Sequence, residues 1–144
     1  MRITGLLLFV SLASLACSEV LAPRLDEVDL ATMQARWEER RPANYTFDVT
    51  QWSEWVSPTT LRITVRNHQF HSARLAEAPS TVVDQAALTL DSLFALATRL
   101  QPDTSAMLHL RFDSRTGMIS RLYVDWPLWA DDSFGYLVKR FVAQ

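Results

Sequence analysis

Asn44-Tyr45-Thr46-Phe47-Asp48-Val49-Thr50-Gln51 alternates cleanly between apolar and polar residues. Tyr45, Phe47 and Val49 point one way, and Thr46, Asp48 and Thr50 the other. A period of two is the mark of a half-buried strand, apolar side to the core and polar side to water. Thr60 to Arg66 repeats the pattern, with Leu61, Ile63 and Val65 inward. Asn67-His68 then predicts a two-residue hairpin turn, because asparagine tolerates positive φ. In that register Val65 faces Phe70 and Ile63 faces Ser72, and a third strand runs from Gln69 to Leu75.

Upstream, Asp26 to Arg41 reads as a helix. Asp26 is placed to cap it, and Glu27 and Asp29 suit the positive end of its dipole. Leu30, Met33 and Trp37 form a narrow apolar stripe at helical spacing. Pro42 restricts Arg41 and stops the helix. Downstream, Ala76 to Val83 is a crossover loop, and Thr89 caps a second helix whose stripe is Leu90, Leu93, Phe94, Ala97 and Leu100. Ala106, Leu108, Leu110 and Phe112 alternate with Met107, His109 and Arg111 in a fourth strand. Asp113 to Gly117 is a turn in which Gly117 takes the left-handed position. Met118 to Trp126 is a fifth strand, with Leu122 and Val124 inward, and Pro127 to Ser133 a loop. Gly135 to Val142 is a sixth strand, with Tyr136 and Val138 on one face.

Strands that meander through tight turns are antiparallel. The expectation is an α+β domain in the order α-βββ-α-βββ, an antiparallel sheet of about six strands covered on one face by two helices. Thr46, Asp48, Arg62, Thr64, His71, His109 and Arg111 fall on the other face, which reads as an ordinary wet surface.

The first seventeen residues, MRITGLLLFVSLASLAC, decide where this domain is sent. Arg2 gives a positive start, and the apolar run from Ile3 to Ala16 is too short to span a bilayer as a helix, which takes about 20 residues. It fits a secretory signal peptide. Ser14-Leu15-Ala16-Cys17 resembles a bacterial lipobox, with Ser14 where Leu is usual. The same residues also satisfy a plain small-x-small cleavage site, and an uncleaved anchor or a misplaced start is the third reading. Cys17 favours the lipobox. It is the single cysteine of the chain, and lipidation occupies it without a second thiol. Several acyl chains hold a protein on a membrane surface without spanning it. Ser18 resembles an outer-membrane address. The division expected is residues 1–16 signal peptide, 17–25 lipidated cysteine and tether, and 26–144 a single domain. The protein would be exported and anchored on the periplasmic side of the outer membrane or at the cell surface.

Without residues 1–16, 128 residues remain, and the charge moves from −2 to −3 because the leader holds only Arg2. That length folds as one domain with no need of a disulfide or metal. The near-neutral balance argues against a nucleic-acid partner.

The ordered pieces resemble an uncharacterised domain-of-unknown-function family of small bacterial lipoproteins. They run from Trp37 through Pro42-Ala43-Asn44-Tyr45-Thr46-Phe47, Leu61 to Val65 and Leu90-Asp91-Ser92-Leu93-Phe94. Phe112-Asp113 with Gly117, Asp125, Ala130-Asp131-Asp132, Tyr136, Val138 and Phe141 complete them. The resemblance implies a lipoprotein and a fold, and no mechanism. Family members often have a Cys-x-Cys pair where Ser53 and Trp55 stand, and Asn67-His68 replaces the usual Asp-Gly of the hairpin.

Three sets of residues are candidates for chemistry. Asp125, Asp131 and Asp132 flank a loop and could offer oxygens to Ca²⁺, though EF-hand spacing is missing. His71 and His109 could share the outer sheet face, but a zinc site lacks further ligands there, and His68 lies across the hairpin from His71. No G-x-S-x-G and no phosphate-cradling glycine loop occurs. Trp52, Trp55, Trp126, Trp129 and Phe134 are the third set. Trp52 falls on the polar side of the first strand. If the loops of this set meet at one end of the sheet, they form an apolar partner surface; otherwise they plug the end of the core, or Trp52 covers an open sheet face. The reading that follows is a non-catalytic envelope lipoprotein with no cofactor, held to the membrane by lipid on Cys17. It binds an envelope protein or ligand through the sheet face or the tryptophan loops. The alternative is a small periplasmic enzyme or metal-binding protein using the loop carboxylates and histidines.

Overall fold

Alternation of apolar and polar residues builds one antiparallel sheet of six strands, in the order β3-β2-β1-β6-β5-β4. The computed structural model describes residues 29–83, 88–128 and 132–144. The elements follow in the order α1 (Leu30–Arg40), β1 (Tyr45–Ser53), β2 (Val56–Arg66), β3 (Gln69–Leu75), α2 (Leu90–Leu100), β4 (Met107–Phe112), β5 (Ile119–Asp125) and β6 (Phe134–Ala143). The domain is therefore α+β. Two three-stranded meanders are joined where β1 pairs with β6.

The core gathers the inward positions of the strands and the stripes of the helices into one cluster. Tyr45, Phe47, Val49, Leu61, Ile63, Val65, Leu122 and Val124 share it with Leu30 and Trp37 of α1 and with Leu90, Leu93, Phe94 and Ala97 of α2. Burying each large apolar side chain is worth about 1.5–3 kcal/mol, so this one cluster dominates stability. Leu100, expected in the α2 stripe, packs at its margin.

Local details depart from simple alternation, each for a physical reason. The cap of α1 is Asp29, not a residue of its first turn, because its carboxylate accepts from the Ala31 N–H at 3.2 Å and from the Thr32 hydroxyl at 3.1 Å. Asp26 and Glu27 lie outside the described residues. Arg41 turns extended ahead of Pro42, as the proline demands. α2 starts at a capping box in which Thr89 and Ser92 satisfy each other's backbone N–H. Strand β2 begins at Val56 and passes through Pro58, which the sequence placed in a loop. Proline fits there because β3 pairs only with Leu61 to Arg66, and Pro58 has no partner on β1.

The Asn67-His68 turn has both residues at positive φ, 49° and 63°, and Val65 faces Phe70 as expected. Ile63 faces Ala73, however, and not Ser72. A bulge between Thr64 and Val65 skips His71, which turns Ala73 into the core instead of the Ser72 hydroxyl. A second bulge lies in β6. Strict alternation after Tyr136 and Val138 would send Arg140 inward and Phe141 out. Arg140 instead adopts φ 50°, and the ladder jumps from Asp48↔Lys139 to Thr46↔Val142. Phe141 thereby returns to the core side and Arg140 stays outside.

The Asp113 to Gly117 turn packs against α1. Gly117 has φ 80°, and a Cβ there would lie 2.5 Å from the Met33 carbonyl oxygen. Arg36 and Arg40 each donate to a carbonyl of that turn, Ser114 O and Arg115 O, at 2.6 Å. The Thr116 hydroxyl and backbone N–H hold the Asp113 carboxyl below the usual carboxylate range.

Candidate functional site

The face of β1 opposite the core carries Thr46, Asp48, Thr50 and Trp52. Asp48 was expected to be wet. It is 4% exposed, because two arginines close over it. Arg62 donates from Nε to Oδ1 at 2.8 Å and from Nη2 to Oδ2 at 3.0 Å, and Arg140 reaches Oδ2 at 3.5 Å from its bulge. Hydrogen bonding to Asp48, then its charge, raises the Arg62 guanidinium further above its ordinary value. One carboxylate is thus set among four cations, since Lys139 faces Asp48 across β6 and Arg74 faces Arg62 across β3.

The next row on this face is Thr60, Thr50, Leu137, Arg121 and Arg111. The Thr50 and Thr60 hydroxyls are bonded at 2.9 Å. Arg111 and Arg121 face each other directly across β4 and β5. Among the described residues no carboxylate pairs with Arg111, Arg121 or Lys139. Like charges opposite one another destabilise a ladder.

The third row is Trp52, Gly135, Tyr123 and His109. A Cβ on Gly135 would fall 2.2 Å from Trp52 Cζ2, so the indole lies over the glycine. The Arg121 guanidinium sits 6.0 Å from the Trp52 ring centroid. His109 stacks on Tyr123 at 5.8 Å. An open cleft of about 1230 Å³ extends this face round the edge strand β4, where His109, Arg111 and Tyr123 meet Leu110, Phe112 and Asp29.

The five aromatic candidates divide. Trp52 is on the outer face. Trp126 and Phe134 pack together at 5.8 Å on the core side, and Trp126 Nε1 donates to Asp103 at 3.5 Å. Trp55 is 78% exposed in the turn between β1 and β2. Trp129 lies outside the described residues. The two loops do meet at one end of the sheet, since Ser53 pairs with Phe134 and the Ser133 hydroxyl donates to Glu54 at 3.2 Å. They do not bring the described aromatics into one patch.

Asp125 is half-buried at the end of β5 and Asp132 is exposed, while Asp131 and Cys17 lie outside the described residues. Among the described residues no group of three His, Cys, Asp or Glu is placed to hold a metal ion. His71 and His109 sit on the two edge strands, β3 and β4. Five strand spacings, about 24 Å, separate them. His68 is exposed in the hairpin turn.

Sequence reasoning put His109 and Arg111 on this face and missed Arg121, Tyr123, Lys139 and Arg140. The signal for the first two was present, because Arg121 and Tyr123 alternate with inward Leu122 and Val124. Lys139 likewise alternates with inward Tyr136 and Val138, and only Arg140 was hidden by the bulge.

The residues that carry the family resemblance gather elsewhere. Trp37 donates from Nε1 to Asp91 at 2.8 Å, and Arg41 pairs with the other oxygen of Asp91. The Trp37 ring meets Tyr45 edge-on at 5.7 Å and Phe141 at 5.8 Å. A family model, described as Family of unknown function (DUF6174), matches residues 29–143. The chain belongs to that family. No curated protein and no solved structure matches it. The DUF6174 match runs from the Asp29 cap to the end of β6, so it spans both the closed corner around Asp91 and the open face around Asp48.

Proposed function

We propose that this DUF6174 chain is an exported envelope lipoprotein, anchored through lipid on Cys17, whose outer sheet face is a non-catalytic binding surface. In this reading the two helices cover the Tyr45–Phe47–Val49 side of the sheet and leave the opposite side for a ligand. The observation that carries it is the Arg111↔Arg121 pair, two like charges face to face beside the half-buried rings of Trp52 and Tyr123 and the exposed His109. A face with no task gains stability by changing either arginine, so the pair argues for an anion brought from outside. The leader and Cys17 supply the address, and the protein is held on the periplasmic side of the outer membrane or at the cell surface.

The anchor is tested by metabolic labelling with a fatty-acid analogue. The wild-type chain should take up label and sediment with membranes. Cys17→Ser should lose the label and accumulate as unprocessed precursor. An unlabelled wild-type chain whose processing is unchanged by Cys17→Ser overturns the anchor. For the face, Arg121→Thr should leave the melting temperature equal or higher. A marked fall would make Arg121 a structural residue instead.

A further inference from the structure

We infer that the outer sheet face binds an acidic glycan, a chain of sugar rings bearing carboxylate or phosphate groups. The inference rests on the binding face proposed above and adds the chemistry of its ligand.

Trp52 lies down on the sheet. Its six-membered ring fills the place of a Cβ on Gly135, so one ring face is seated on backbone, and the half-buried ring has the Arg121 guanidinium 6.0 Å from its centroid. The outward face of an aromatic ring is its negative face, and it attracts the weakly positive C–H side of a sugar ring. The same row continues to Tyr123, on the strand that pairs with Gly135 beneath the indole. His109 stacks beyond it.

Cations border this row. Arg111 and Arg121 oppose each other on the neighbouring row, and Lys139 follows on β6. Guanidinium groups take carboxylate or phosphate oxygens through two parallel hydrogen bonds. An anion between Arg111 and Arg121 removes the repulsion that the unliganded sheet carries. Thr50 and Thr60 add hydroxyls that can donate to or accept from sugar hydroxyls. A lipid surface is better matched by an indole that projects from the sheet than by one lying flat. Single-stranded nucleic acid also uses stacking and cations. The chain's net charge of −2 and its exported leader favour the glycan.

Calorimetry on the full chain tests this with four probes, the sugars and the nucleotide in detergent and the vesicles after the detergent is removed. The probes are an oligogalacturonate, a neutral malto-oligosaccharide of equal length, an oligothymidylate, and vesicles of phosphatidylglycerol with phosphatidylcholine. The oligogalacturonate should bind, and the neutral sugar should bind at least tenfold more weakly. Trp52→Ala should weaken the acidic sugar about tenfold, as expected for one ring contact near a cation. Arg111→Ser/Arg121→Ser should weaken it at least as much and flatten its salt dependence. Both arginines are exposed, so that variant carries the test even where Trp52→Ala fails to fold. Equal affinity for the neutral sugar, or oligogalacturonate binding unchanged by the arginine variant, overturns the inference. Variant-sensitive binding of oligothymidylate or vesicles alone keeps the binding face and overturns the glycan. No variant-sensitive binding of any probe overturns the face itself.

Discussion

Asp91 and Asp48 hold comparable positions in two different parts of the molecule. Asp91 stands at the start of α2 and takes one hydrogen bond from Trp37 and one ion pair from Arg41. Asp48 stands in mid-strand on the open face and takes Arg62 and Arg140. At the Asp91 corner the rings of Trp37, Tyr45 and Phe141 interlock and are turned inward, and one carboxylate meets one guanidinium. On the Asp48 face the rings of Trp52, Tyr123 and His109 lie along the sheet, and cations outnumber the acids. The corner is complete within the chain. The face is electrostatically incomplete. Several residues that carry the family resemblance, Trp37, Tyr45, Asp91 and Phe141, sit in the first.

The contrast is broken most directly at Trp37. It is 1% exposed and joins α1, β1 and α2 through its ring and its Nε1. Trp37→Ala should cost about 3–5 kcal/mol in urea unfolding, from lost burial and the cavity left behind. The loss should be the same in low and high salt, since packing is not screened. A cost under about 1 kcal/mol would mean that the corner does not hold the helices to the sheet.

Asp48→Asn sharpens the other side. Charged hydrogen bonds are worth about 1.5–3 kcal/mol each, and the partners here are exposed enough to be resolvated, so a loss of about 2 kcal/mol is expected. Neutralising Asp48 leaves Arg62, Arg74, Lys139 and Arg140 facing one another without an acid. Part of the loss should therefore return as salt is raised, because screening relieves that repulsion. An Asp48→Asn deficit that ignores salt would show that the face is not the strained, cation-rich surface described above.

Much of the corner was legible in the sequence, and much of the face was not. Leu30, Met33 and Trp37 at helical spacing, the Thr89 cap, and the alternation of Tyr45, Phe47 and Val49 report local periodicity, which a single segment reveals. Asp48 was read as wet for the same reason, since alternation gives the side of the sheet and not what lies over it. Its burial depends on Arg62 and Arg140, which lie 14 and 92 residues away. The pairing of β1 with β6 is equally non-local, and the bulge at Arg140 shifts the parity that would have revealed it. Trp52 looked like one member of a tryptophan patch because its loop neighbours are tryptophans. Its nearest ring partners across the sheet follow from strand order, which no segment carries alone.

The finest test of the corner is the Tyr45 hydroxyl. It is buried, and among the described residues it makes no hydrogen bond of good geometry. Burial first, and the negative charge of Asp91 second, push its phenol well above the ordinary value, with Arg41 and then a weak contact to the Leu90 backbone opposing. A raised folded value means that the stability linked to Tyr45 is full below the unfolded value of about 10 and is lost as pH rises toward the folded value. Tyr136, raised by burial alone, contributes in the same direction. Tyr45→Phe removes a hydroxyl that makes no hydrogen bond beyond the weak contact to the Leu90 backbone, so at neutral pH stability should change by less than about 1 kcal/mol, with the sign toward stabilisation. Above pH 10 the wild-type chain should lose stability more steeply than Tyr45→Phe, and the part of the slope that remains in the variant belongs to Tyr136. Parallel slopes for the two proteins would mean that the phenol reaches water, and that the corner is open where its interlocked rings require it to be closed.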